Sequence, residues 1–230
     1  MRRASAPADR VRVDLHTHTH RSFDCLTSPA AYLAALRRRG IDRAFVTDHN
    51  ALDEARRMQA ESPGVIFAGE EIRTREGYDL IGLLLTEEIP RGTPAREAAE
   101  RIRAQGGVVY LPHPFDGARS GSGEVGSAAI ADLVDVVEVH NARCFRAATN
   151  ARALEWARAH GKLFGAGSDA HTAGELGNGF VEVPPFEPTR ESLLAALAAG
   201  QVVGTTRASP LVRIASTYAK LHRIVARRRE

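Results

Sequence analysis

The chain has 230 residues, 43% of them hydrophobic and 26% charged, with a formal net charge of +3. These values exclude a disordered chain, a coiled coil and a collagen-like repeat, and they fit one globular domain large enough to bury a core. No apolar run approaches the roughly 18–20 residues that span a bilayer. The basic start Met1-Arg2-Arg3 has no apolar segment behind it, so the expected location is cytoplasmic.

Cys25 and Cys144 make no disulfide framework and read as buried thiols. The arginines are spread along helical stretches, with the densest run at Arg227-Arg228-Arg229. That placement speaks for solvated helix faces rather than a nucleic-acid groove.

In chain order, apolar runs alternate with Ala/Arg/Leu-rich stretches of helical period. Val11–His16 reads as a strand, Pro29–Arg39 as a helix closed by Gly40, Ile41–Thr47 as a strand and Leu52–Glu61 as a helix. Val65–Ala68 and Leu80–Leu85 read as strands, and Thr93–Gln105 as a helix closed by Gly106-Gly107. Val108–Leu111 is an expected strand and Ala128–Leu133 a short helix. The Ser/Gly segment 120–127 between them has the composition of a mobile loop able to close over a substrate. Then come strand Val134–His140, helix Asn150–His160, strand Leu163–Ala166, helix Ser192–Ala199, strand Val202–Gly204 and a last helix from about Leu211. Strand–helix alternation implies parallel strands with helical crossovers, hence an α/β fold and a barrel. The expected organisation is a flexible segment 1–10, a barrel domain 11–210, and a basic helix 211–230 packed on it or extending it.

The histidines and acids fall at strand ends. His16 and His18 are two apart at the end of one strand, and Asp169 and His171 repeat that spacing after another. His49, Glu70 and His113 each follow a strand, and Asp24 lies in the first loop. In a parallel barrel all strand C-termini open on one rim, so these residues would meet there. Imidazole and carboxylate donors suit Mn²⁺, Zn²⁺ or Fe²⁺, and eight ligands exceed what one tetrahedral ion uses. Two or three divalent ions are therefore expected. His20, His160 and His222 read as ordinary polar residues.

The segments Asp14-Leu15-His16-Thr17-His18, Asp24 and Thr47-Asp48-His49-Asn50 resemble the opening motifs of the PHP (polymerase and histidinol phosphatase) domain. Gly69-Glu70-Glu71, Leu111-Pro112-His113-Pro114 and Gly167-Ser168-Asp169-Ala170-His171 resemble its later motifs, in order. Glu138-Val139-His140-Asn141-Ala142-Arg143 and Ala173-Gly174-Glu175-Leu176-Gly177 are similar to the small free-standing phosphoesterases of that family. The resemblance implies a distorted (β/α)7 barrel. It implies that His16, His18 and Asp169 bind one metal, that Glu70 bridges to a second bound by His113, and that Asp24, His49 and His171 serve a third. A further family ligand would fall at His140 or Cys144.

Such a site serves hydrolysis of a small phosphate monoester by metal-activated hydroxide. Glu70, Asp169 and His171 are the expected catalytic groups, the last two as possible acids for the leaving alcohol. Arg143, Arg119 and Asn141 are expected substrate contacts, and Asp48 a support for the ligands. The competing expectations are a phosphodiesterase, a C–N amidohydrolase on the same metals, and a non-catalytic interaction module. The expected partner is a small phosphate ester, with no membrane and no nucleic acid; oligomeric state, native metal and exact substrate stay open.

Overall fold

A computed structural model describes residues 9–204 and 217–219. Its strands are β1 (Val11–Thr17), β2 (Arg43–His49), β3 (Ile66–Arg73), β4 (Asp79–Leu83), β5 (Val108–Leu111), β6 (Val136–Asn141), β7 (Leu163–Gly167), β8 (Gly179–Val183) and β9 (Gln201–Gly204). The helices are α1 (Pro29–Arg39), α2 (Asp53–Glu61), α3 (Ala95–Ala104), α4 (Gly123–Ala129), α5 (Ala147–Ala159) and α6 (Arg190–Ala198). Local chemistry sets their limits. Ser28 caps α1 by accepting from the Ala31 N–H, Pro29 occupies its first turn, and Gly40 ends it in the left-handed conformation at φ 67°.

One sheet holds all nine strands in the order β7-β6-β5-β4-β3-β2-β1-β8-β9. It curls until β7 meets β1, where Asp169 N–H donates to the His16 carbonyl at 2.7 Å and His18 N–H to the Ala170 carbonyl at 3.0 Å. The result is a nearly closed α/β barrel, as expected, with two strands reversed. β4 is antiparallel to β3 and β5, and β8 is antiparallel to β1 and β9. β3 and β4 are joined by a short turn around Gly77 (φ 90°), too short for the helical crossover that a parallel pair needs.

Two apolar layers follow from strand alternation. Val13, Leu15, Phe45, Phe67, Val108, Tyr110 and Val136 fill the barrel interior. Leu36, Met58, Ile102, Val109, Val137 and Trp156 pack between the barrel wall and the helices. Each buried Leu- or Phe-sized side chain contributes about 1.5–3 kcal/mol of transfer energy. The interior layer plugs the lower barrel, so the polar residues that follow it along β1, β2, β3, β5, β6 and β7 are displaced to the C-terminal rim of those strands.

Three expectations on the elements are corrected. The Ser/Gly segment 120–127 is built into the fold: a 3-10 turn spans Gly117–Arg119, and α4 begins at Gly123 rather than Ala128. Gly121 serves close approach, since a Cβ there would lie 2.6 Å from the carbonyls of both His113 and Pro114. Strand β8 was not foreseen. The short strand expected at Val65–Ala68 runs on to Arg73, so Glu70 and Glu71 lie inside β3. Most of segment 1–10 and of the helix expected from Leu211 lies outside the described residues; 217–219 are helical.

Candidate metal centre

Strand register decides which side chains enter the bowl. Along β3 the interior positions alternate as Phe67, Gly69 and Glu71, while Ile66, Ala68 and Ile72 face the helices. In β1 the register against β2 shifts between Asp14 and Thr17, which inserts a residue and turns His16 inward although Leu15 is already interior. Asp14 then accepts from the Ser168 N–H at 2.9 Å and the Gly177 N–H at 3.0 Å, pinning the loop that carries Asp169 and His171. His113 and Asp169 themselves sit at positive φ, 28° and 51°, conformations that side-chain-bearing residues seldom adopt.

The centre forms around Glu71. Its Oε2 lies 3.0 Å from His49 Nδ1, 3.3 Å from His18 Nε2 and 3.4 Å from His16 Nε2, and its Oε1 lies 3.2 Å from His113 Nε2. Asp169 Oδ1 is 3.6 Å from His18 Nε2 and 3.8 Å from His16 Nε2. Asp24 Oδ1 is 3.2 Å from His171 Nε2 and 3.6 Å from His49 Nε2. Ligand atoms gather in three groups, each within 4.8 Å: His16, His18 and Asp169; His16, Glu71 and His113; His18, His49 and His171.

The outer hydrogen bonds fix which imidazole nitrogen faces inward. The Ser22 hydroxyl donates to Asp48 Oδ1 at 2.5 Å, so its oxygen accepts from His18 Nδ1 at 3.0 Å and leaves Nε2 for the cluster. Asp48, expected as a support, thereby acts through Ser22. His171 Nδ1 lies 2.9 Å from the Asp169 carbonyl, again freeing Nε2. His16 Nδ1 lies 3.1 Å from Glu138 Oε1.

Electrostatics agree with this arrangement. Burial alone would raise Glu71, but His49, His16 and the hydrogen bond with His113 outweigh it and hold the carboxyl well below the ordinary range. Burial likewise opposes a charge on Asp169, yet Arg119 and His16 keep it ionised. Burial disfavours a cation on His16, but Asp169, Glu138 and Glu71 prevail and raise its pKa well above normal. His18, by contrast, is pushed down to about 3 by burial and by neighbouring His171 and His49. The field of the bowl thus calls for positive charge between its carboxylates.

Of the eight expected ligands, His16, His18, Asp24, His49, His113, Asp169 and His171 converge. Glu70 does not. It lies on the outward parity of β3, where its Oε2 accepts from the Ile89 N–H at 2.9 Å and burial pushes its pKa up to about 8. Glu71 occupies the position among the imidazoles that was expected for Glu70.

His140 is also turned away, because β6 carries an extra residue against β7 between Glu138 and His140. Its ring packs instead where Cβ atoms at Gly179 and Gly204 would sit, 3.1 and 2.4 Å away. Cys144 is buried, and its Sγ lies 3.3 Å from the Arg119 guanidinium.

The expected substrate contacts are engaged within the protein. Arg119 pairs with Asp169 Oδ2 and with Asp116, and donates to Asn141 Oδ1 at 3.0 Å. Arg143 Nε lies 2.9 Å from Glu175 Oε1, and Glu175 in turn accepts from the His171 N–H at 3.2 Å. Glu71, Glu138, Ser22 and Glu175 were not singled out as site residues in the sequence. Counting the interior parity of β3 from Phe67 would have found Glu71.

The donor set fits divalent ions. Glu71 Oε2 and His113 Nδ1 are buried without a well-directed hydrogen bond. As neutral ligands, His16 and His18 present two Nε2 lone pairs only 3.1 Å apart, a contact that a shared cation resolves.

The fold and this cluster define a barrel protein built around a histidine–carboxylate centre suited to divalent metals. A family profile described as PHP-associated matches residues 147–202. An uncharacterized protein of Methanocaldococcus jannaschii is 36% identical over 176 residues, which cover 75% of this chain and 70% of that protein. Among solved structures, a Bacteroides vulgatus two-domain protein containing a PHP-like metal-dependent phosphoesterase aligns at TM-score 0.68 and 17% identity, over 89% of this chain and 69% of that one. A lesion-specific endonuclease of Pyrococcus furiosus aligns at TM-score 0.63 and 16% identity, over 84% of this chain and 57% of the other. The chain is thus a relative of the Methanocaldococcus jannaschii protein, carries a segment that matches the PHP-associated profile, and shares the barrel fold of the PHP-like phosphoesterase.

Proposed function

We propose that the protein is a metal-dependent phosphoesterase that hydrolyses a small phosphate monoester at a centre of two or three divalent ions, Mn²⁺, Zn²⁺ or Fe²⁺. The observation that carries this reading is the convergence of three ligand groups on the strand C-terminal rim, with Glu71 and Asp169 between them. Ions held there would lower the pKa of a water and offset the negative charge of the phosphoryl group. His16, His18 and Asp169 would hold one position, Glu71 and His113 a second, and Asp24, His49 and His171 a third. Asp169, kept ionised by Arg119, binds rather than protonates.

The side chains of His49 and Asp24 retain 14% and 10% exposure, so the third group forms the open edge where substrate enters. A small substrate fits the charge placement better than a nucleic acid does. Arg21, Arg119 and Arg143, close to the mouth, are paired with Asp53, Asp169 and Glu175 rather than arrayed for successive phosphates. Among the described residues no helix is long and apolar enough to cross a membrane, and a cytoplasmic setting is part of the same reading.

The test is elemental analysis of protein purified without chelators, together with phosphate release from a panel of nucleotides, bisphosphates and sugar phosphates. Glu71→Ala and His113→Ala would run beside the parent. Two or three metals per chain, with turnover lost in both variants, is the expected result. Full metal loading with cleavage confined to diesters or C–N bonds would overturn the monoester assignment, and no metal after reconstitution with Mn²⁺ or Zn²⁺ would overturn the centre itself.

A further inference from the structure

We propose that Glu138 is the positioning residue of this centre: it sets which nitrogen His16 offers to a metal, and it ties His113 and Asp169 to that choice. The inference rests on the metal-centre reading above and names a residue outside the ligand groups. Glu138 is fully buried on β6, on the interior parity shared with Val136. Its Oε1 lies 3.1 Å from His16 Nδ1. Its Oε2 accepts from the His113 backbone N–H at 2.8 Å and from Asn141 Nδ2 at 2.9 Å.

The Asn141 orientation is not arbitrary. Its Oδ1 accepts from the Arg143 N–H at 2.9 Å and from Arg119 at 3.0 Å, so Nδ2 must point the other way. That amide nitrogen then spans Glu138 and Asp169 Oδ2, the second at 3.1 Å. One carboxylate therefore reaches residues of two ligand groups, His16 and Asp169 in one, His16 and His113 in the other. Both of its oxygens are occupied by protein donors, and it joins none of the ligand groups, so it acts through the ligands and is not one of them. Room for the contact comes from Gly167, where a Cβ would lie 2.7 Å from Glu138 Oε1 and 2.4 Å from His16 Cβ.

The chemistry requires a carboxylate. With Oε1 accepting, His16 carries its proton on Nδ1 and presents the Nε2 lone pair, 3.4 Å from Glu71 Oε2. A glutamine has the same shape but one acceptor. If its oxygen keeps the two donors of His113 and Asn141, its NH₂ faces His16 Nδ1 and drives the proton to Nε2, which blocks ligation. If its oxygen turns to His16, the NH₂ opposes two N–H donors. Either arrangement breaks the network without changing volume.

The experiment compares Glu138→Gln with the parent full-length chain. Zinc affinity is measured by chelator competition, the His16 ring by long-range ¹H–¹⁵N correlation in the zinc-loaded protein, and folding by circular dichroism. The expected result is a folded variant with zinc binding weakened about 10- to 100-fold, and a parent spectrum in which His16 binds through Nε2 with Nδ1–H hydrogen-bonded. A merely space-filling role predicts that the isosteric glutamine leaves zinc affinity unchanged, and that result would overturn the inference. Should Glu138→Gln fail to fold, the parent spectrum alone decides: ligation of His16 through Nδ1 refutes the proposal. Weakened zinc binding in the variant, with no phosphate release by the parent, would support Glu138 while sinking the phosphoesterase reading. A parent chain that takes up no zinc would sink both.

Discussion

Replacing Glu71 by glutamine, with Glu70→Gln as its control, tests the assignment of the bridging carboxylate. Adjacent in sequence and identical in type, the two lie on opposite faces of β3. Glu71 is one of three carboxylates directed at the centre, with Asp24 and Asp169. Glu71→Gln lowers the charge of the donor set by one unit at a buried position ringed by four imidazoles, 3.0 to 3.4 Å away. A unit charge 4 Å away at an effective dielectric of 20 is worth about 4 kcal/mol, and removing one partner of a buried pair costs about 3–5 kcal/mol. At about 1.4 kcal/mol per decade, metal binding should weaken by roughly two to three and a half orders of magnitude. Glu70→Gln removes no ligand, and the glutamine oxygen can still accept from the Ile89 N–H. Its metal content should stay at the parent level and its stability within about 1 kcal/mol. Chelator competition with Zn²⁺ and Mn²⁺ and urea melts on both variants supply the numbers. Loss of metal in Glu70→Gln with retention in Glu71→Gln would refute the strand parity on which the centre is drawn.

Other consequences follow from the same contacts. Asp48 accepts from Ser22 and Thr19 through both side-chain oxygens, at 2.5 and 2.6 Å. Asp48→Asn should release Ser22, leave His18 Nδ1 without a fixed acceptor, and weaken zinc binding about 10- to 100-fold in a titration. Gly167→Ala places a Cβ 2.4 Å from His16 Cβ. It should destabilise the fold by about 1–3 kcal/mol and lower metal content, seen by denaturant melts and elemental analysis. Glu182 pairs with Arg12 at 2.8 Å, and although burial opposes it, the hydrogen bonds from Arg12 and Gln201 bring its pKa below the usual value. Its stabilisation is therefore present above the unfolded glutamate pKa of about 4.3 and is lost as pH falls through the lower folded value. Glu182→Gln should cost about 1 kcal/mol at neutral pH, and the difference from the parent should vanish in melts at strongly acid pH.

The α/β barrel and the convergence of seven of the eight singled-out residues on one rim were legible in the sequence because they depend on features that one strand carries alone. His16 and His18, or His113 after Val108–Leu111, need only the rule that strand ends face a common rim. Helix α1 was bounded to the residue because Ser28, Pro29 and Gly40 each act locally. What could not be read depends on pairing between strands. The reversal of β4 turns on how a short turn closes, and β8 on antiparallel pairing with strands distant in sequence, as in Arg12↔Glu182.

The exchange of Glu70 for Glu71 is the most instructive case, because the error was one of length rather than of chemistry. A strand ended at Ala68 leaves both glutamates in a loop, where either could serve and family motif order chooses between them. A strand continued to Arg73 puts them on opposite faces, and the period-2 rule then admits only the one in phase with Phe67. His140 shows the converse. There the alternation counted from Val136 points inward, and an extra residue in β6 defeats it. That same irregularity brings Asn141 in beside Glu138 and completes the path from His16 to Asp169. Bulges in β1 and β6 therefore do one job from two sides: each shifts the alternation so that a polar side chain, His16 in one and Asn141 in the other, enters the bowl.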